Sequence, residues 1–184
     1  TRFRALGHGA WCWFKLKPLL ESAGHRVSTF NVSASGTTDT KVIQQIPTFY
    51  DYNTPLLDFM ASIPPEEKVI LVGHSLGVKF AKRTPQDTWL DTQFLPYSDQ
   101  ESEVSMLFGP KFVSSKLYQL CSDEDRELGK ILIRPGSSFL KDLSNAKQFT
   151  EEGYGSVRRV FVLCDEDETI KEDFQRWMID NSPV

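Results

Sequence analysis

The run Lys68-Val69-Ile70-Leu71-Val72 passes without a break into Gly73-His74-Ser75-Leu76-Gly77, and nothing else in the chain restricts its fold as tightly. A stretch made almost wholly of β-branched residues and leucine suits a central parallel strand covered by helices on both faces. A Gly-x-Ser-x-Gly turn between such a strand and a helix holds its serine in a strained, exposed position, and the flanking glycines permit close backbone packing. Ser75 therefore reads as a nucleophile, and the backbone N–H of Leu76, at the start of the next helix, as a first donor for an oxyanion. The plainer alternative is a serine in a glycine-flanked turn that caps a helix.

A second apolar run, Val157 to Cys164, contains Val160-Phe161-Val162-Leu163 and opens onto Asp165-Glu166-Asp167-Glu168. The acid that serves a nucleophile turn of this kind follows the serine at the end of a later strand, so Asp167 or Asp165 is the candidate. Taken alone, the cluster reads as a solvated acidic loop. A calcium loop is disfavoured, because Ile170 stands where the sixth-position glycine belongs. The base is harder to find. The chain has three histidines, His8, His25 and His74, and all precede Ser75. None fits the order serine, acid, histidine. His74 adjoins Ser75 within the turn, so its ring is expected to point elsewhere. His25 follows a helix C-terminus, the usual setting of a surface cap. His8 lies in a glycine-bounded loop that could approach the site, which leaves a base role open to it.

Elsewhere, strand and helix patterns alternate as in a doubly wound α/β sheet. Phe14, Leu16, Leu19, Leu20 and Ala23 fit one face of a helix over 13–23, ended by Gly24. A strand is expected over 26–32, a mostly polar helix around 40–46 stopped by Pro47, and an amphipathic helix over about 53–63 with Leu56, Leu57, Met60 and Ile63 inward. Between the two apolar runs, about 105–149 reads as helical, with Ser122 and Asp125 as an N-terminal cap. This stretch is expected to form a cap inserted at about 86–150 of a single domain covering 1–184. At 184 residues, 40% of them hydrophobic, one substantial core is the expectation. A net charge of -4 with no basic block argues against nucleic-acid or membrane-surface binding. Cys12, Cys121 and Cys164 are too scattered for a disulfide framework or a metal site. No signal-peptide pattern or membrane-length apolar segment is present, so a cytoplasmic protein is expected.

The segments Trp11–His25, Gly73–Gly77, Trp89–Tyr97, Phe108–Phe112, Lys116–Cys121, Tyr154–Val157 and Phe174–Trp177 together resemble the plant methylesterase family. This is the salicylate-binding and polyneuridine aldehyde esterase group, close to the hydroxynitrile lyases. His74 and Leu76 argue against the lyases, whose elbow has a different residue on each side of the serine. The resemblance implies an α/β-hydrolase fold with a helical cap and cofactor-free hydrolysis of methyl esters of small plant hormones such as salicylate, jasmonate or indole acetate. Its partner is then a small ester or carboxylate, and dimers are common in the family. By resemblance Ser75 is the nucleophile and Asp167 the triad acid, while Trp89, Phe94 and Met106 line an aromatic acyl pocket. Those three could equally be ordinary cap-domain core.

The departures from the family pattern carry expectations of their own. His8-Gly9 matches the second His-Gly of the family's opening loop, but Arg4-Ala5 replaces the first, which leaves Leu6 as the second oxyanion donor. After Gly77 the family continues with a second glycine, a long helix and another parallel strand. Here residues 78–85 lead straight to Trp89, so an internal helix-strand unit is expected to be missing. The family's last strand and helix, with the segment carrying its catalytic histidine, would fall beyond Val184. On this reading the chain is an esterase by ancestry that lacks a base. A non-catalytic carboxylate-binding protein and an incomplete gene product without a stable fold are the competing readings.

Overall fold

A computed structural model describes residues 2–3, 8–75, 86–96, 104–147 and 149–181. Strand β1 (Arg2–Phe3) pairs in parallel with β2 (Ser28–Thr29), and between them run a 3-10 turn (Ala10–Trp13) and helix α1 (Leu16–Ser22). The helix ends as Gly24 demands: its φ is +85°, His25 N–H donates to Leu20 O at 3.0 Å, and Gly24 N–H donates to Glu21 O at 3.0 Å. This is the paired closure that a left-handed glycine makes available. The expected inward face of α1 is not buried, since Phe14, Leu16 and Leu19 are all exposed.

Helix α2 (Phe49–Ala61) starts earlier than its apolar spacing suggests, because Thr48 caps it: the Thr48 hydroxyl accepts from Asp51 N–H at 3.0 Å. Its interior Pro55 cannot donate to the carbonyl of Asp51, and the Ser33 hydroxyl takes that place at 2.9 Å. The buried side chains are Tyr52 and Asn53, while Leu57 and Met60 are exposed. The helix expected around 40–46 is a single 3-10 turn, Ile43–Gln45. Ile43 and Ile46 nevertheless join Val32, Ala34, Tyr52 and Phe139 in one buried cluster.

The stretch read as wholly helical is mixed. β3 (Gln93–Pro96), β4 (Val104–Leu107) and β5 (Gly136–Ser137) form an antiparallel sheet in which Phe94 opposes Met106 and Ser105 opposes Ser137. Short apolar runs do not separate strand from helix by periodicity, and here strand pairing prevails. Helix α3 (Pro110–Phe112) passes into a π-turn (Val113–Leu117), followed by α4 (Asp123–Leu132) and α5 (Leu140–Ser144). The Ser122 cap on Asp125 N–H is formed, at 3.3 Å. The chain closes with a π-turn (Glu151–Gly155) and α6 (Glu172–Asp180).

The two apolar runs depart most from expectation. Over 68–72 only Leu71 makes a bridge, and 157–164 has no ladder partner among the described residues. Ile70 is 67% exposed and Val160 80%. A parallel strand is buried only when strands and helices flank it, and the loss of an internal helix-strand unit expected from the sequence removes such a neighbour.

Candidate functional site

Ser75 ends the described part of the first run with a φ of +63°, a left-handed conformation that non-glycine residues rarely adopt. It is exposed. These are the two backbone properties that a nucleophile turn requires. Leu76 and Leu6, the expected oxyanion donors, lie outside the described residues.

Asp167 sits in a loop closed by its own side chain: Oδ1 accepts from Thr169 N–H at 2.7 Å and from Ile170 N–H at 2.9 Å. Gln175, 4% exposed on α6, locks the ends of that loop, with Nε2 donating to Cys164 O at 2.7 Å and to Ile170 O at 2.6 Å while Oε1 accepts from Cys164 N–H at 2.8 Å. Sequence reasoning matched Gln175 to the family but gave it no task. The signal for one was an amide following an acidic loop on a helix whose neighbours are charged or aromatic.

The charge of the acid loop acts on the elbow at His74. Desolvation by the surrounding protein lowers the pKa of this ring, and the negative charge of Asp167 partly offsets that. The Trp13 ring stands edge-on to it at 6.0 Å, although part of His74 stays exposed. His74 therefore shares the electrostatics of the acid loop.

His8 is buried, and its Nε2 lies 2.8 Å from the Tyr118 hydroxyl. Burial raises the pKa of that phenol, as does the negative charge of Asp125, so it remains a protonated donor. His8 Nε2 is thus engaged by the Tyr118 hydroxyl. His25 lines a cavity of about 500 Å³ with Arg26, Phe59, Ser62, Lys68 and Ile70, and no candidate site residue borders it. The three cysteines are free; burial pushes the Cys12 thiol up to about 12, which leaves it inert at neutral pH.

The structure brings Trp89, Phe94 and Met106 together. Trp89 meets Phe94 edge-to-face at 5.5 Å and stacks on Phe112 at 5.6 Å, and Phe112 stacks on Phe108 at 5.0 Å. Trp89, Met106 and Phe112 are buried, whereas Phe94 is partly open. Asp91 fixes this cluster to α3: its two carboxylate oxygens accept from Lys111 N–H and Phe112 N–H, each at 2.9 Å. No cluster of potential metal ligands occurs among the described residues, and no described helix is long and apolar enough to cross a membrane.

No protein-family model matches the sequence. Individual proteins do. Salicylic acid-binding protein 2 of Nicotiana tabacum is 48% identical over 96% of this chain and 82% of its own length. Methylesterase 1 of Arabidopsis thaliana is 45% identical over 96% and 81%. The crystal structure of polyneuridine aldehyde esterase superimposes with a TM-score of 0.90 at 40% identity, over 98% of this chain and 86% of that one. Despite its short ladders, the backbone thus follows the α/β-hydrolase course. The alignment with the Nicotiana protein spans 214 positions, more than the 184 residues of this chain, so the relative carries residues inside the aligned span that are absent here. The missing helix-strand unit requires that difference. The chain belongs to the plant methylesterase family of α/β-hydrolase carboxylesterases.

Proposed function

We propose that this chain acts on methyl esters of small plant carboxylic acids, of which methyl salicylate, methyl jasmonate and methyl indole acetate are the candidates. Ser75 is the nucleophile and Asp167 the acid; the N–H groups of Leu76 and Leu6 hold the oxyanion; Trp89, Phe94 and Met106 receive the acyl group. Ser75 attacks the ester carbonyl, the tetrahedral oxyanion forms against the two N–H donors, the serine proton leaves with the methoxide as methanol, and water then splits the acyl-serine to release the acid and restore the Ser75 hydroxyl. The left-handed φ of Ser75 is the observation that carries this reading. No metal or cofactor enters the scheme. A cytoplasmic location, supported by three free thiols, and a homodimer complete it.

The geometry of the histidines favours a second reading. All three histidines precede Ser75, so none stands where the order serine, acid, histidine puts the family's base, and His8 Nε2 is engaged by Tyr118. The same aromatic pocket would then hold a small carboxylate without turnover. Hydrolysis of the three methyl esters, measured beside Ser75→Ala and with labelling by a fluorophosphonate probe, separates the two. Ser75-dependent hydrolysis and labelling support the esterase. Saturable binding of salicylate to Ser75→Ala, with neither hydrolysis nor labelling in the unsubstituted chain, supports the binding protein and sinks the first reading.

A further inference from the structure

One short segment touches both loops that the esterase reading requires. On one side of the 113–119 turn, Tyr118 bonds His8 at 2.8 Å and stacks on its ring at 5.8 Å, while Trp11 covers the other part of His8 at 5.2 Å. His8 lies two residues after Leu6. On the other side, three bonds hold the tip of the acid loop. Lys116 Nζ donates to Glu168 Oε2 at 3.1 Å, the Thr169 hydroxyl donates to Lys116 O at 3.1 Å, and Gln119 Nε2 donates to Glu166 O at 2.8 Å.

The turn is itself rigidly seated. Tyr118 N–H donates to Val113 O at 2.8 Å, which closes the π-turn. The Tyr118 ring packs over buried Gly129, where a Cβ would come within 2.9 Å of Cζ. π-turns are rare and recur at functional sites. The need for such a seat follows from the fold. The runs that lead into the elbow and the acid loop have few ladder bonds among the described residues, so contacts at the loop tips must fix where they sit. Gln175 anchors the ends of the acid loop, and the 113–119 turn anchors its tip.

We propose that the 113–119 turn is a clamp that sets the Asp167 loop and the His8 loop in register with each other, which makes Lys116, Tyr118 and Gln119 positioning residues. The clamp rests on the esterase reading for what the two loops do, and on the bonds above for its existence. Coupling through a rigid segment is reciprocal. Disturbing either end therefore loosens the other.

The test is backbone hydrogen exchange on the full chain, with Tyr118→Phe and Gln119→Ala. Tyr118→Phe is expected to speed exchange by at least about fivefold over 165–170, which Tyr118 does not touch, as well as over 8–14. Gln119→Ala, a change at a half-buried position outside the core clusters, is expected to do the same over 8–14. In ester hydrolysis each variant lowers kcat with KM little changed, and the double variant loses less than the product of the two losses. Exchange that rises only in the loop each side chain touches, or a kcat that neither variant alters in a hydrolysing chain, overturns the clamp. Should Tyr118→Phe unfold, Gln119→Ala decides alone. Coupled exchange in a chain that hydrolyses nothing keeps the clamp and removes the esterase reading; hydrolysis with uncoupled exchange does the reverse.

Discussion

Strand β4 of the antiparallel sheet and the two apolar runs at 68–72 and 157–164 are all rich in aliphatic side chains and end in opposite conditions. In the sheet, Met106 and Ser105 are buried, and Phe112 beneath it is 1% exposed. In the runs, Val162 is 78% exposed. The contrast lies in connectivity. Antiparallel strands find their partners nearby along the chain, whereas a parallel strand depends on a crossover unit to bring its neighbour alongside. Loss of one helix-strand unit therefore spares the first and strips the second. Within this molecule, the aromatic cluster and the strand beside it are expected to be well packed and the two runs to be the weak part.

The strongest way to break that contrast is Phe112→Ala. The ring stacks between Trp89 and Phe108 and is fully enclosed, so its removal leaves a cavity that should cost about 3 to 5 kcal/mol in urea unfolding. A loss under about 1 kcal/mol would mean that the cluster is as loose as the runs.

Asp91→Asn should cost less, about 1 kcal/mol, because it weakens the bonds to Lys111 and Phe112 without opening a void. Burial works against the Asp91 charge, but those N–H donors and the Lys111 ammonium outweigh it and hold the carboxyl below its ordinary 3.8. A depressed carboxyl stabilises fully above the ordinary value and ceases to do so as pH falls through the folded value. The difference between Asp91→Asn and the unsubstituted chain should therefore shrink in acid, and urea melts between about pH 3 and 6 will show whether it does. Gly109→Ala probes the same contact by steric means, since its Cβ would fall 2.3 Å from Asp91 Cγ.

What the sequence disclosed divides along the same line. Local signals were legible: Gly24 as a left-handed helix end, Ser122 as a cap on Asp125, and the Ser75 turn with its positive φ. Each depends on a few adjacent residues. Signals that depend on distant partners were not. The runs at 68–72 and 157–164 read as central strands because such sequences are buried when neighbours exist, and their own residues do not report a missing neighbour. The strands at 104–107 and 136–137 were too short for periodicity to show. At the site, the turn motif named Ser75 and the order of the chain named Asp167 or Asp165, while family resemblance selected Asp167 and the aromatic trio. The His8–Tyr118 bond joins residues 110 positions apart and had no local signature.

Asp167→Asn asks whether the two runs, though exposed along their length, still converge at their ends. If they do, removing the Asp167 charge lets desolvation act unopposed, and the His74 titration followed by NMR moves further down. An unchanged midpoint would separate the elbow from the acid loop and leave Asp167 without a role at Ser75. Stability should change less here than at Asp91, since Oδ1 can still accept from Thr169 and Ile170 as an amide oxygen.

The smallest effect is expected where the apolar character is greatest. Val160 and Val162 are among the most exposed large hydrophobic residues, so Val160→Thr and Val162→Thr remove almost no buried surface and should shift stability by less than about 0.5 kcal/mol. The same changes should reduce self-association in light scattering, because an uncovered β-branched run templates pairing between chains. A loss of 2 kcal/mol or more would mean that the run is covered in solution. The contrast between the packed sheet and the open runs would then belong to the isolated chain alone, and the cover would have to come from a second chain.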